Sequence, residues 1–298
     1  MFPYIVAGLA ILLLSSLYDP VTRYLTAGLE PRPLPRTPRP RINESLLAID
    51  AGDNETASLE CATDAYSVHI LSKAPLVVYI ENFLSVDERE HLLEISEPLF
   101  EPSTITNDGD KTQRNALVRD SEVALIPRTD AVRCIEARAR SFQGWRDDLW
   151  IERLRTQRYG PSQHYTHHFD WGSGARGWGR VSSFMVWVEA DEMEGGGTEF
   201  PRLRRNGPDQ PWCRWLECPD ADTGGGDSAG EDKKEKKRAK EDDAPGVTFK
   251  AVPGNAVYWE NFRPDGTGRG WQETWHAGLP VTRGTKVGLN IWSWGRLN

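Results

Sequence analysis

Hydrophobic residues are distributed along this chain in three distinct ways. The first is an uncharged apolar run, FPYIVAGLAILLLSSLY, from Phe2 to Tyr18. Its length is near the lower limit of about 17–25 residues for a spanning helix. It lacks the basic start and small-residue cleavage site of a secretory signal peptide. A signal-anchor and a cleaved leader therefore both stay open over residues 1–20. The second is a near absence of periodicity over residues 21–73, polar and, in PRPLPRTPRP, rich in proline, which reads as an extended stalk. The third is the periodic remainder, a domain expected over residues 74–298.

Within that domain the period changes. PLVVYIENF is a short β-branched strand. Ser85 and Glu88 form a capping box that opens a helix with Leu92, Leu93 and Ile95 on its apolar face. Val132, Ile135 and Ala139 recur at helical spacing and predict a second helix over Thr129–Phe142. From Trp150 onward the runs are short and separated by turn residues: WIERLRTQRY, the stretch around HHFD, RVSSFMVWVEA, GVTFKAV, NAVYWEN, WQETWHAGLPV and TKVGLNIWSW. Such a series predicts a sandwich or jelly roll, with the upstream helices supporting one sheet. Residues 220–245 interrupt it with Gly and dense charge of both signs but no large apolar residue, as expected of a disordered surface insertion.

Composition narrows the classes. With 44 acidic against 36 basic residues the net charge is −8, and no basic face for general nucleic-acid binding is expected. Twelve tryptophans suit a core and the walls of a water-poor pocket. Cys61, Cys134, Cys213 and Cys218 contain no CxxC pair, which argues against a structural zinc site. Cys213 and Cys218 are close enough for a disulfide across a tight loop, with two free thiols as the alternative. Arg23, Arg32, Arg36, Arg39 and Arg41 follow the apolar run and would hold the body cytosolic. The sequons at Asn43 and Asn54 and the candidate disulfide point the other way. The balance favours an endoplasmic reticulum membrane or lumenal location with the N-terminal segment membrane-inserted.

Candidate chemistry concentrates in YGPSQHYTHHFDW, which holds three of the six histidines. In a strand, His168 and Asp170 project to one face, His167 to the other, and His164 lies back toward the turn at Gly160 and Pro161. His276, in ETWHAGLP, is the natural third ligand. Two imidazoles and one carboxylate make the facial triad of non-haem Fe(II), leaving positions open for O2 and a bidentate cosubstrate. Lys286 lies ten residues after His276 among apolar neighbours. Facing inward it would be costly unless it met a charge. It would then hold the distal carboxylate of a dicarboxylic cosubstrate whose keto-acid end chelates iron; otherwise it faces solvent from an alternating strand.

At these residues the chain resembles the prolyl 4-hydroxylase alpha-subunit family of Fe(II)- and 2-oxoglutarate-dependent dioxygenases, over roughly Pro75 to Trp294. YGPSQHYTHHFD looks like a family block at Tyr159, Gln163, Tyr165, His168 and Asp170. RVSSFMVWVEADEMEGGGTEFP is similar to a second block, and HAGLPVTRGTKVGLNIW to a third at His276, Gly278, Pro280, Val281, Gly284, Lys286 and Trp292. The resemblance implies a double-stranded β-helix (jelly-roll) core, mainly β with supporting helices. It implies iron on His168, Asp170 and His276, and 2-oxoglutarate on Lys286 with hydroxyls from Tyr159 and Ser183. Tyr165 and Trp292 would wall the substrate side. The implied reaction hydroxylates a peptidyl residue, most readily proline in a Pro-containing peptide, releasing succinate and CO2, with L-ascorbate keeping the iron reduced. Gly197 departs from the pattern, standing where relatives carry Glu. The Gly-rich WGSGARGWG after Asp170 is short where relatives hold substrate. A zinc-dependent hydrolase on the same ligands, or a non-catalytic jelly-roll binding module, are the competing classes.

Overall fold

The structure is a computed structural model that describes residues 37–41, 43–49, 59–107, 111–172, 177–204, 210–218 and 246–297. After a 3-10 turn at Glu44–Leu46 come β1 (Ser67–Lys73), β2 (Leu76–Glu81) and helix α1 (Val86–Ser96). Five short strands follow: β3 (Glu101–Pro102), β4 (Ile105–Asn107), β5 (Lys111–Gln113), β6 (Arg119–Asp120) and β7 (Glu122–Leu125). Helix α2 (Asp130–Phe142) leads into β8 (Leu149–Ile151), β9 (Arg155–Tyr159), β10 (His164–His168) and β11 (Trp178–Gly195). The last strands are β12 (Thr198–Phe200), β13 (Val247–Phe249), β14 (Ala256–Glu260), β15 (His276–Gly278) and β16 (Val281–Arg296).

Both helices start where their caps require. Ser85 Oγ accepts from the Glu88 N–H while the Glu88 carboxylate accepts from the Ser85 N–H, satisfying two donors that the first turn leaves open. Thr129 caps α2 through the Val132 N–H. The strands form a nine-stranded antiparallel sheet in the order β1-β2-β14-β11-β16-β9-β7-β3, with β8 also on β16. A second sheet runs β13-β12-β15-β10-β6. From β9 to β12, and again from β14 to β16, successive strands alternate between the two sheets, which makes the body a double-stranded β-helix.

The central strands of the large sheet are buried on both faces, and that explains their unbroken apolar runs. Phe184, Val186 and Val188 of β11 and Val287, Leu289 and Ile291 of β16 pack toward the helices with Phe83, Leu92 and Ile135. The alternate residues Met185 and Trp187 face the second sheet, where Tyr79, Phe200, Phe249 and Trp259 close one end of the sandwich. Lys286 and Trp292 have that inward parity on β16.

Three expectations change. Ser67–Lys73 falls within the expected stalk yet pairs with β2 as an edge strand. Most of its side chains remain exposed, Val68 and Ile70 among them, and its place in the sheet is set by pairing with β2 rather than by a buried face. Cys213 and Cys218 are bridged, and so are Cys61 and Cys134, 73 residues apart, a pairing that spacing could not reveal. Among the described residues no helix is long and apolar enough to cross a membrane. That finding removes the support for an endoplasmic reticulum location resting on an N-terminal membrane segment; residues 1–20 themselves lie outside the described residues, as do residues 220–245.

Phe184 is fully buried, with ring centroids of Phe83, Phe142 and Tyr258 at 5.6, 5.5 and 4.8 Å. Phe184→Ala is expected to lower unfolding free energy by about 3–5 kcal/mol in denaturant titration.

Candidate metal centre and its cavity

A bulge builds the centre. In a regular strand Tyr165 and His168, three residues apart, would face opposite sides. Here β10 pairs with β15 at Tyr165↔Gly278 and at His168↔His276, three residues on one strand against two on the other. The extra residue shifts the parity. Both rings therefore face the space between the sheets, stacked at 3.7 Å. The same pairing sets His168 beside His276, with ring centroids 4.3 Å apart. Asp170 lies just beyond β10, its Oδ1 3.6 Å from His168 Nε2 and 3.9 Å from His276 Nε2. One donor atom from each of the three residues falls within 4.8 Å of the others.

The surrounding hydrogen bonds orient these donors. His168 Nδ1 is 2.9 Å from the Thr166 carbonyl and His276 Nδ1 2.8 Å from that of Thr274. With Nδ1–H donating to those carbonyls, each Nε2 lone pair turns inward. The Trp292 indole N–H donates to Asp170 Oδ2 at 3.0 Å, leaving Oδ1 for the centre. Phe200 stacks on His276 at 5.2 Å and Trp259 meets its edge at 4.9 Å. Burial pushes the His276 imidazolium down to about 4, assisted by His168, against the pull of Asp170. Burial alone would raise the Asp170 carboxyl; His276, His168 and Arg180 outweigh it and hold it below its ordinary range. Neutral imidazole and ionised carboxylate are the forms that bind a divalent metal.

These residues share a small cavity of about 40 Å³ with Lys286, Tyr159 and Tyr165. Lys286 is 1% exposed and donates to the Gly196 carbonyl at 2.5 Å. Its Nζ is 4.9 Å from the ring centroid of Tyr159, its cross-strand partner. Burial pushes its ammonium down to about 8. Among the described residues no carboxylate pairs with it. Trp259, in the same wall, has a buried indole N–H without an acceptor. A two-imidazole, one-carboxylate donor set beside a spare cation and a spare donor fits a divalent metal carrying an anionic chelator.

Sequence reading and structure differ in part. His167 points away, onto Glu199 at 2.7 Å, and His164 contacts only the backbone carbonyls of Ser162 and Leu117. Ser183 does not join Lys286. It pairs with Trp292, six residues along β16 or roughly 20 Å away, and its hydroxyl accepts from Asn261. Thr198, Gln157 and Asn290 line the cavity instead. Strand parity could have found two of them: Gln157 is two residues from Tyr159 on β9, and Asn290 four from Lys286 on β16. Thr198 stands in GGGTEFP, at the end of the second resembling block.

A model of the 2OG-Fe(II) oxygenase superfamily matches residues 154–294. The chain is 27% identical over 229 residues to probable prolyl 4-hydroxylase 3 of Arabidopsis thaliana, covering 75% of this chain and 70% of that protein. It is 26% identical over 231 residues to prolyl 4-hydroxylase 5 of the same plant, covering 76% and 70%. A solved viral collagen prolyl hydroxylase from Paramecium bursaria Chlorella virus-1, a 2OG complex, is 22% identical over 74% of this chain and 96% of its own, with a TM-score of 0.49. The stretch that is similar to the 2OG-Fe(II) oxygenase superfamily contains both halves of the donor set and Lys286.

Proposed function

We propose that this protein is an Fe(II)- and 2-oxoglutarate-dependent dioxygenase that hydroxylates proline in a peptide, with His168, Asp170 and His276 holding the iron and Lys286 the cosubstrate's distal carboxylate. The observation that carries the reading is the pairing, in one cavity, of a facial donor set with a buried lysine that has no carboxylate partner. When bound, iron with 2-oxoglutarate and O2 supplies the oxidation that couples loss of CO2 and formation of succinate to insertion of one oxygen into a C–H bond. The protein's own residues do the rest. Trp292 and the Thr166 and Thr274 carbonyls orient the three ligands. Lys286 and Tyr159 meet the cosubstrate's far end, and Phe200 and Trp259 keep water from the back of His276. Tyr165 and Trp292 stand at the substrate side. Proline as the target rests on the prolyl hydroxylase relatives, and ascorbate as reductant on the same resemblance.

The test is succinate release from 2-oxoglutarate with proline-rich peptides, followed by product mass. The wild-type chain should release succinate as the peptide gains one oxygen, and His168→Ala should fall to background. Native turnover by His168→Ala would overturn the iron assignment.

Trp292→Phe keeps the ring but removes the N–H on Asp170. Metal affinity, followed by Co(II) absorbance, is expected to weaken about 10–100-fold.

Lys286→Ala should raise the KM for 2-oxoglutarate about 30-fold or more, as loss of a buried charge partner does. The pH dependence has a definite sign. An ammonium depressed to about 8 loses its proton as pH rises through that value, so dianion affinity should fall about tenfold per pH unit above it. Lys286→Arg should abolish that fall.

A further inference from the structure

Three tryptophans form a platform at one end of the large sheet. Trp178 and Trp294 stack at 5.2 Å, and Trp150 lies 6.0 Å from Trp294 and 6.1 Å from Trp178. The platform adjoins Trp292, the residue that orients Asp170. Trp294 is two residues from Trp292 on β16 and so shares its face. The Cα partner of Trp294 is Arg180. Its guanidinium lies 3.9 Å over the Trp292 ring, clamped by both oxygens of Glu152 at 2.5 and 2.8 Å. Trp292 in turn donates to Asp170.

The platform carries part of this same chain. The Trp178 indole N–H donates to the Thr37 carbonyl at 3.2 Å, and the Arg39 guanidinium lies 4.5 Å over Trp150. These residues belong to Thr-Pro-Arg-Pro-Arg, positions 37–41. Prolines at 38 and 40 hold φ near about −65° and keep the residues before them extended. Aromatic grooves take extended proline-rich chains, and an indole N–H on a backbone carbonyl is a contact suited to such a groove. A few residues downstream the arm is fastened to the fold. Leu47 is buried and bridges to Glu152, the Ala48 N–H donates to the Ile151 carbonyl, and the Leu46 carbonyl accepts from Arg153. Pro38 and Arg41 are exposed, and Arg39 has an exposed carboxylate partner in Glu44, a kind of pair that contributes little.

We propose that residues 37–41 are an internal ligand of a proline-rich-peptide groove formed by Trp150, Trp178 and Trp294, which an incoming proline-rich substrate must displace to occupy that groove. The proposal rests on the peptidyl hydroxylase reading for the identity of that substrate. Tethering at Leu46–Ala48 gives the arm an effective concentration of roughly millimolar order. A weak internal ligand at that concentration raises the apparent dissociation constant of a free peptide severalfold.

The test uses the full-length chain and a synthetic peptide with the sequence of residues 31–41, followed by tryptophan fluorescence without turnover. The variant P38A/R39A/P40A is expected to bind the peptide about fivefold or more tightly than the wild-type chain. Adding Trp178→Phe, which removes the donor to the carbonyl, should weaken that binding again. Equal dissociation constants in the wild-type chain and the triple variant, or indifference to Trp178→Phe, would overturn the internal ligand. The readout is separable from catalysis. Absence of succinate release with every peptide would remove the hydroxylase reading and leave the fluorescence contrast standing. Equal constants would remove the internal ligand even in a chain that turns over.

Discussion

A lysine ammonium buried at 1% exposure with only a backbone carbonyl to meet it is a costly thing to build. The neighbouring architecture follows from holding it there. Lys286 can be buried because β16 lies in mid-sheet, between β11 and β9, with helices covering the opposite face. Its inward parity then aims it at the space between the sheets. Tyr159, paired to it across the strands, offers a ring face rather than a charge. A carboxylate in that wall would stabilise the resting fold and abolish the vacancy for an anion. The site thus holds a cation whose partner is supplied from outside.

The donor set answers the same constraint from the other sheet. His168, Asp170 and His276 bring one carboxylate and two imidazoles together in a buried place. Left alone, Asp170 would be an isolated buried anion. The Trp292 N–H and the Arg180 charge stabilise it, and Arg180 is itself balanced by Glu152. Charge is therefore arranged in a sequence from the cavity outward, carboxylate, guanidinium, carboxylate, while the far end of the cavity keeps its single uncompensated ammonium. A ligand bearing a chelating anion at one end and a carboxylate at the other matches that polarity.

Much of this could be read from the amino-acid order because it depends on local rules. The capping box at Ser85, the cap at Thr129 and the same-face parity of His168 and Asp170 need only neighbours in sequence. The apolar runs RVSSFMVWVEA and TKVGLNIWSW marked strands, which the fold buries on both faces in β11 and β16. What escaped depends on registers and long loops. The bulge that turns Tyr165 to the face of His168 is a property of pairing with β15, invisible in β10 alone. Ser183 failed because its distance from Lys286 is set by where β11 and β16 are paired. The Cys61–Cys134 bridge joins positions separated by a whole helix and several strands. The arm at residues 37–41 looked like spacer, since Thr37 and Arg39 reach tryptophans over 100 residues away.

The departure at Gly197 shows the same interdependence at the ammonium's anchor. A Cβ built on Gly197 would lie 2.7 Å from Thr248 Cγ2 and 2.8 Å from Glu217 Oε1. The space a side chain would need at this turn is already taken by a carboxylate from the Cys213–Cys218 loop. Burial raises the Glu217 carboxyl, with Lys250 opposing and Glu199 adding to the shift. The loop is held on β13 by the Glu217 N–H on Thr248 and the Lys250 N–H on Trp215. Gly196, next in the turn, supplies the carbonyl that receives Lys286. Glycine at 197 and the bridged loop therefore belong together. With any larger residue at 197, Glu217 would be expelled; without the loop, the turn that positions the Lys286 acceptor would lose the packing on its outer side.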